Sequence, residues 1–128
     1  MVIPASSRGR LEHANITVSD IERSSKLLQD LLGWEERWRG PAINDGETIH
    51  VGEEFSYIAI YTDHKAHDRF AKGVPLNHIG LLVDDLDAAE RVVIAAGLEP
   101  FSHADYDPGR RFYFFDWDGI EFEVVSYE

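Results

Sequence analysis

Apolar and polar residues alternate with a period of two over 13–17 and again over 78–82, and each stretch leads into a segment of helical spacing. A strand there would place His13, Asn15 and Thr17 on one face, and His78, Gly80 and Leu82 on the equivalent face of the second copy. Ile21, Ser24, Leu27, Leu28, Leu31 and Leu32 then form one helical stripe, and Leu86, Ala89, Val92, Val93 and Ala96 form another. Asp20 and Asp85 are suited to cap these helices, since a short side-chain oxygen accepts from the free amides of a first turn. Gly33 and Gly97 stand where a left-handed residue would end them. Three further strands are expected in each half, over 34–39, 48–52 and 55–61 and over 99–103, 110–115 and 120–126. Asp45-Gly46 and Asp118-Gly119 supply turn signals.

The pattern is a repeat. His13 and His78 stand 65 positions apart (78 − 13), as do Asp20 and Asp85, and after a one-residue deletion the offset of 64 pairs Gly33 with Gly97 and Ala59 with Glu123. The expected architecture is α+β, two tandem β-α-β-β-β modules over about 10–62 and 76–127, joined by a charged connector over 63–75 with room for a helical turn. A histidine at the head of each copy and a carboxylate at the tail of one suggest a metal site between the copies.

Composition narrows the partners. At 128 residues with 44% apolar content, the chain suits one compact domain with a real interior. A formal net charge of −12 argues against nucleic acid and anionic membrane surfaces as partners. The absence of cysteine rules out disulfides and thiolate ligands. Residues 1–10 carry no apolar core of a signal peptide, and no later run is long enough to span a membrane, so a cytoplasmic protein is expected.

Two segments carry a family resemblance: Leu76-Asn77-His78-Ile79-Gly80 with Asp84-Asp85-Leu86, and Phe112 through Glu123 with its Asp118-Gly119 turn. They resemble the vicinal oxygen chelate superfamily, which includes glyoxalase I, fosfomycin-resistance transferases, bleomycin-resistance proteins and extradiol dioxygenases. The resemblance spans nearly the whole chain and implies paired modules forming an open, barrel-like mixed sheet with a metal inside. It implies His13, His78 and Glu123 as ligands. Glu123 is preferred to Glu121 because the family carboxylate falls four places after the turn glycine; the two share a strand face, so alternation does not choose between them. Two imidazoles and one carboxylate leave a divalent ion with open positions, where a small substrate with adjacent oxygens chelates. Many glyoxalases carry a fourth ligand where this chain has Ala59, which binds no metal.

The second module leans toward the extradiol dioxygenases, in which a histidine, a tyrosine and the metal glutamate follow in order. His103, Tyr113 and Glu123 take those places here, and His64 stands roughly where that family keeps an acid–base histidine. The expected function is therefore a metal-dependent enzyme, with ring-cleaving dioxygenase chemistry slightly ahead of a glyoxalase-like lyase or isomerase. A metal-free small-molecule binder is the alternative from another class. Fe(II) or Mn(II) suits the first chemistry and Ni(II) or Zn(II) the second. Asn15, Thr17, Ala59 and Tyr61 share faces with the first module's site, and Arg110 and Arg111 are candidates to anchor an anionic substrate. The plainer reading of His64, His103 and the two arginines is solvated surface. A homodimer is expected, because an open cup leaves sheet edges and apolar surface to cover.

Overall fold

The computed structural model describes residues 9–107 and 109–128; the stretch 1–8, part of the segment read above as lacking a signal-peptide core, lies outside the described residues. The first module runs β1 (His13–Thr17), α1 (Ile21–Leu32), β2 (Glu35–Ala42), β3 (Gly46–Gly52) and β4 (Tyr57–Thr62). The second runs β5 (Ile79–Leu82), α2 (Leu86–Ala95), β6 (Phe101–Tyr106), β7 (Gly109–Phe115) and β8 (Glu121–Ser126). The repeat is thus a repeat of structure.

Its punctuation follows the expected chemistry. Asp20 accepts from the Arg23 amide at 3.0 Å and Asp85 from the Ala88 amide at 3.0 Å, each satisfying a free donor of the first turn. Gly33 closes α1 at φ 68°, and Gly97 follows α2 at φ 85°, a region costly for any residue with a Cβ. Strand β2 is longer than its composition suggests and carries an irregularity between Glu36 and Trp38, and the connector contains turns and bends but no helix.

The strands form two four-stranded mixed sheets, ordered β1-β4-β3-β2 and β5-β8-β7-β6, rather than one closed barrel. Within each, the first strand runs parallel to the last, since the crossover passes through a helix, and the hairpins are antiparallel. Helix α1 packs on β3 and β4, α2 packs on β7 and β8, and the helices pack on each other. Ile16, Ile49, Val51, Ile58 and Ile60 of one sheet join Leu81, Phe112, Phe114, Phe122 and Val124 of the other, with both helices, in a single buried cluster. Each helix covers one face of its own sheet and the two helices pack on each other, so the histidine-bearing face of each sheet points away from its helix. That division places the histidines.

The β7–β8 turn is tied by a buried carboxylate. Asp116 is 4% exposed and accepts from the amides of Asp118 and Ile120, both at 2.9 Å. Burial outweighs these bonds and pushes its pKa from 3.8 up to about 6. The folded state then holds this proton longer than the unfolded chain. Its contribution is full below pH 3.8 and is lost as pH rises through about 6. The total across that window is on the order of 3 kcal/mol. Asp116→Asn keeps an acceptor for the two amides and is expected to flatten this slope. Urea unfolding of both proteins between about pH 4 and pH 7 checks it, and parallel profiles would refute it.

Candidate metal centre

On the open face of the second sheet, His78 precedes β5 and Glu123 lies on β8, opposite Gly80 on one side and Tyr113 on the other. The His78 Nε2 lies 3.1 Å from Glu123 Oε1, while its Nδ1 donates to Asn77 Oδ1 at 2.7 Å. With Nδ1 carrying the proton, Nε2 and the carboxylate oxygen meet as two acceptors, which repel unless a cation lies between them. A proton or a metal ion serves. Gly80 presents no side chain beside them, and a Cβ there would meet nothing within 4 Å.

Each carboxylate of this face has its own cation. Arg111 Nη1 donates to Glu123 Oε2 at 2.8 Å, and Lys72 of the connector reaches Glu121 Oε1 at 2.9 Å. Burial works to lower the Arg111 pKa, but the hydrogen bond to Glu123 leads the effects that lift it above the ordinary arginine value. Tyr113 stands edge-on to His78, with ring centroids 5.8 Å apart; burial first, then the Glu123 charge, raises its phenol pKa and keeps it a donor at neutral pH.

His13 lies on the open face of the other sheet. Its Nδ1 contacts Glu12 Oε1 at 2.9 Å, so the residue before each repeat histidine holds Nδ1 and leaves Nε2 to the face. The imidazole stacks on Tyr57 at 4.8 Å, Tyr57 on His50 at 4.6 Å, and His50 leans on Trp38 at 5.1 Å. Burial, with the electrostatic influence of the neighbouring His13 and Arg37 acting in the same direction, holds the His50 pKa below its ordinary value. Ala59 is buried between Asn15 and His50 in the sheet register, and the Tyr61 hydroxyl donates to the Ile43 carbonyl at 3.0 Å, bracing the β2–β3 turn.

Other candidates lie elsewhere. His103 contacts Glu90 of α2 at 2.8 Å and stacks on the buried Phe112, on the helix side of its sheet. His64 sits 3.9 Å from Glu47, in a hollow also lined by Ile21, Arg39 and Thr48. Arg110, one residue from Arg111 and so on the opposite face, pairs with Asp87 at 3.0 Å. Asn15 and Thr17 line a cavity of about 580 Å³ with Lys65, His67 and Phe70 of the connector. None of these joins the His78–Glu123 pair. Lys72, Glu12 and Tyr57 lie in no motif, and Asn77 lies within the Leu76–Gly80 segment without a role assigned to it there, although the matched places of Glu12 and Asn77 in the repeat were a signal available in the sequence.

Among the described residues, no three histidine or acidic side chains come together as a metal site. His78 and Glu123 fit two positions of one, by ligand type and by the 3.1 Å approach of Nε2 to the carboxylate oxygen. His13, on the other sheet's open face, does not reach them within the chain.

Residues 10–124 match the model of the Glyoxalase/Bleomycin resistance protein/Dioxygenase superfamily, and the chain belongs to that family. Among solved structures, it resembles a glyoxylase/bleomycin resistance protein/dioxygenase domain from Frankia sp. EAN1pec, with 25% identity and a TM-score of 0.79 over 94% of this chain and 98% of that one. It also resembles the fosfomycin resistance protein FosX of Mesorhizobium loti, with 25% identity and a TM-score of 0.69 over 91% and 90%. A FosX mutant from Listeria monocytogenes, 20% identical with a TM-score of 0.71 over 92% of each chain, was crystallised with Mn(II) and 1S,2S-dihydroxypropylphosphonic acid. No curated protein matches the chain in sequence. No helix among the described residues is long and apolar enough to cross a membrane.

Proposed function

We propose that this chain is a cytoplasmic, metal-dependent enzyme acting on a small substrate that chelates the ion through adjacent oxygens. Its site would be shared by two copies, with His78 and Glu123 from one and His13 from the other. The observation that carries the reading is the His78–Glu123 pair, an imidazole Nε2 and a carboxylate oxygen 3.1 Å apart on one sheet, with the third expected ligand, His13, on the other sheet. A second copy would supply that ligand and cover both faces.

Such an ion, bound by two imidazoles and one carboxylate, would stabilise negative charge developing on a substrate oxygen. Around it, Asn77 and Glu12 hold the histidine tautomers, and Tyr113 supplies a protonated phenol for a substrate oxygen. Lewis-acid addition or isomerisation needs little more than these groups. Ring cleavage would draw on His64 and His103, but His103 pairs with Glu90 on the helix side of its sheet and His64 lies in the connector near Glu47, apart from the His78–Glu123 pair. The lyase or isomerase reading therefore moves ahead of the dioxygenase.

Reconstitution with Mn(II), Fe(II), Ni(II) or Zn(II), followed by metal analysis, tests the site. One ion per chain is expected in the wild type. His78→Ala and Glu123→Gln should lose it by more than the roughly 10–100-fold that losing a second-layer support costs. Glu121→Gln, which removes the partner of Lys72, should retain it. No uptake of any of these ions would leave a small-molecule binder.

A further inference from the structure

We propose that Arg111 is the cation that occupies Glu123 when the metal is absent, and that it competes with the metal for that carboxylate; this rests on the metal site proposed above. The two side chains are 11% and 13% exposed and meet at 2.8 Å, so water screens the pair only weakly. Arg111 is held in place from other sides as well. Its guanidinium lies over the Tyr106 ring at 4.3 Å, and Nη2 donates to the Gly109 carbonyl at 3.2 Å. Among the described residues its Nε is buried without a partner, so local hydrogen bonding alone does not account for the placement of the charge. Glu123 does.

The charges on this face support the same assignment. Glu121, 3% exposed, is already matched by Lys72. Arg111 matches Glu123, so the two carboxylates are balanced with no ion bound. A fixed positive charge beside a ligand also opposes a dication, by on the order of tenfold or more in affinity at the effective dielectric of a protein. Arg111 therefore lets the empty site fold without an uncompensated carboxylate and keeps the bound ion exchangeable. An orienting prop would do the opposite, since its loss would weaken binding.

The sign of the effect is the test. Mn(II) is titrated calorimetrically into the full chain as wild type, Arg111→Gln, Arg111→Met and Arg111→Lys, with thermal midpoints measured with and without the ion. Arg111→Gln keeps a donor for Glu123 but no charge, and guards against the case in which Arg111→Met does not fold. Both neutral variants should bind Mn(II) about tenfold or more tightly than wild type, with a lower metal-free midpoint and a larger Mn(II)-induced rise. Arg111→Lys should stay near the wild-type affinity. Neutral variants that bind no more tightly, while the wild type binds and His78→Ala does not, would overturn this inference and leave the metal site standing. A wild type that takes up no Mn(II) and behaves like His78→Ala would overturn both.

Discussion

Co-expressed His13→Ala and His78→Ala chains are expected to recover metal binding that neither variant shows alone. In a site built from two copies, a mixed dimer joins the intact His13 of one chain to the intact His78 and Glu123 of the other. That gives one working site, while the second site of the same dimer carries both lesions. A site closed within a single chain yields nothing from mixing, because every chain keeps its own defect. The expectation follows from the division of the fold: His13 stacks on Tyr57 on one sheet, and His78 meets Glu123 on the other, with each helix on its own sheet and α1 packed on α2. Tandem affinity tags on the two variants isolate the mixed dimer, and its metal content reads the outcome. A mixed species without metal, beside a wild type that binds it, would exclude the shared arrangement.

Replacing Phe114 with alanine is expected to cost about 3–5 kcal/mol, a large part of the roughly 5–15 kcal/mol that holds a typical domain together. Phe114 is fully buried on the helix-facing side of β7 and stacks on Phe122 of β8 with centroids 5.3 Å apart. Its removal opens a cavity where sheet and helix meet, and the surrounding strands relax only partly into it. Phe115, one residue further on, points to the other face and is 36% exposed. Alanine there should cost about 1 kcal/mol or less, mostly its stacking on Phe101. Urea midpoints of the two variants measure the difference, and equal losses would mean that the core is not where these faces place it. The same alternation governs Arg110 and Arg111, one pairing with α2 and the other with the candidate metal ligand.

Much of this molecule was legible from the chain alone. The caps at Asp20 and Asp85, the left-handed glycines at 33 and 97, and the β-α-β-β-β order of both modules depend on local chemistry repeated along the sequence. Hydrogen bonds to neighbouring amides and the two backbone periods do not need the rest of the fold. The same repeat matched His13 with His78, because a residue's place in a repeated strand is itself a local property, whereas the choice of Glu123 over Glu121 rested on the family resemblance.

What the sequence left open was which faces meet. How the two four-stranded sheets are set relative to each other depends on how α1 packs on α2, a contact between segments more than fifty positions apart. That packing decides that His78 and Glu123 come together while His13 does not join them. It also brings Lys72 from the connector onto Glu121 and turns His103 toward Glu90. Strand alternation shows that residues share a face; the side chains opposite that face are set by tertiary packing, where apolar burial across the whole chain outweighs any single local preference.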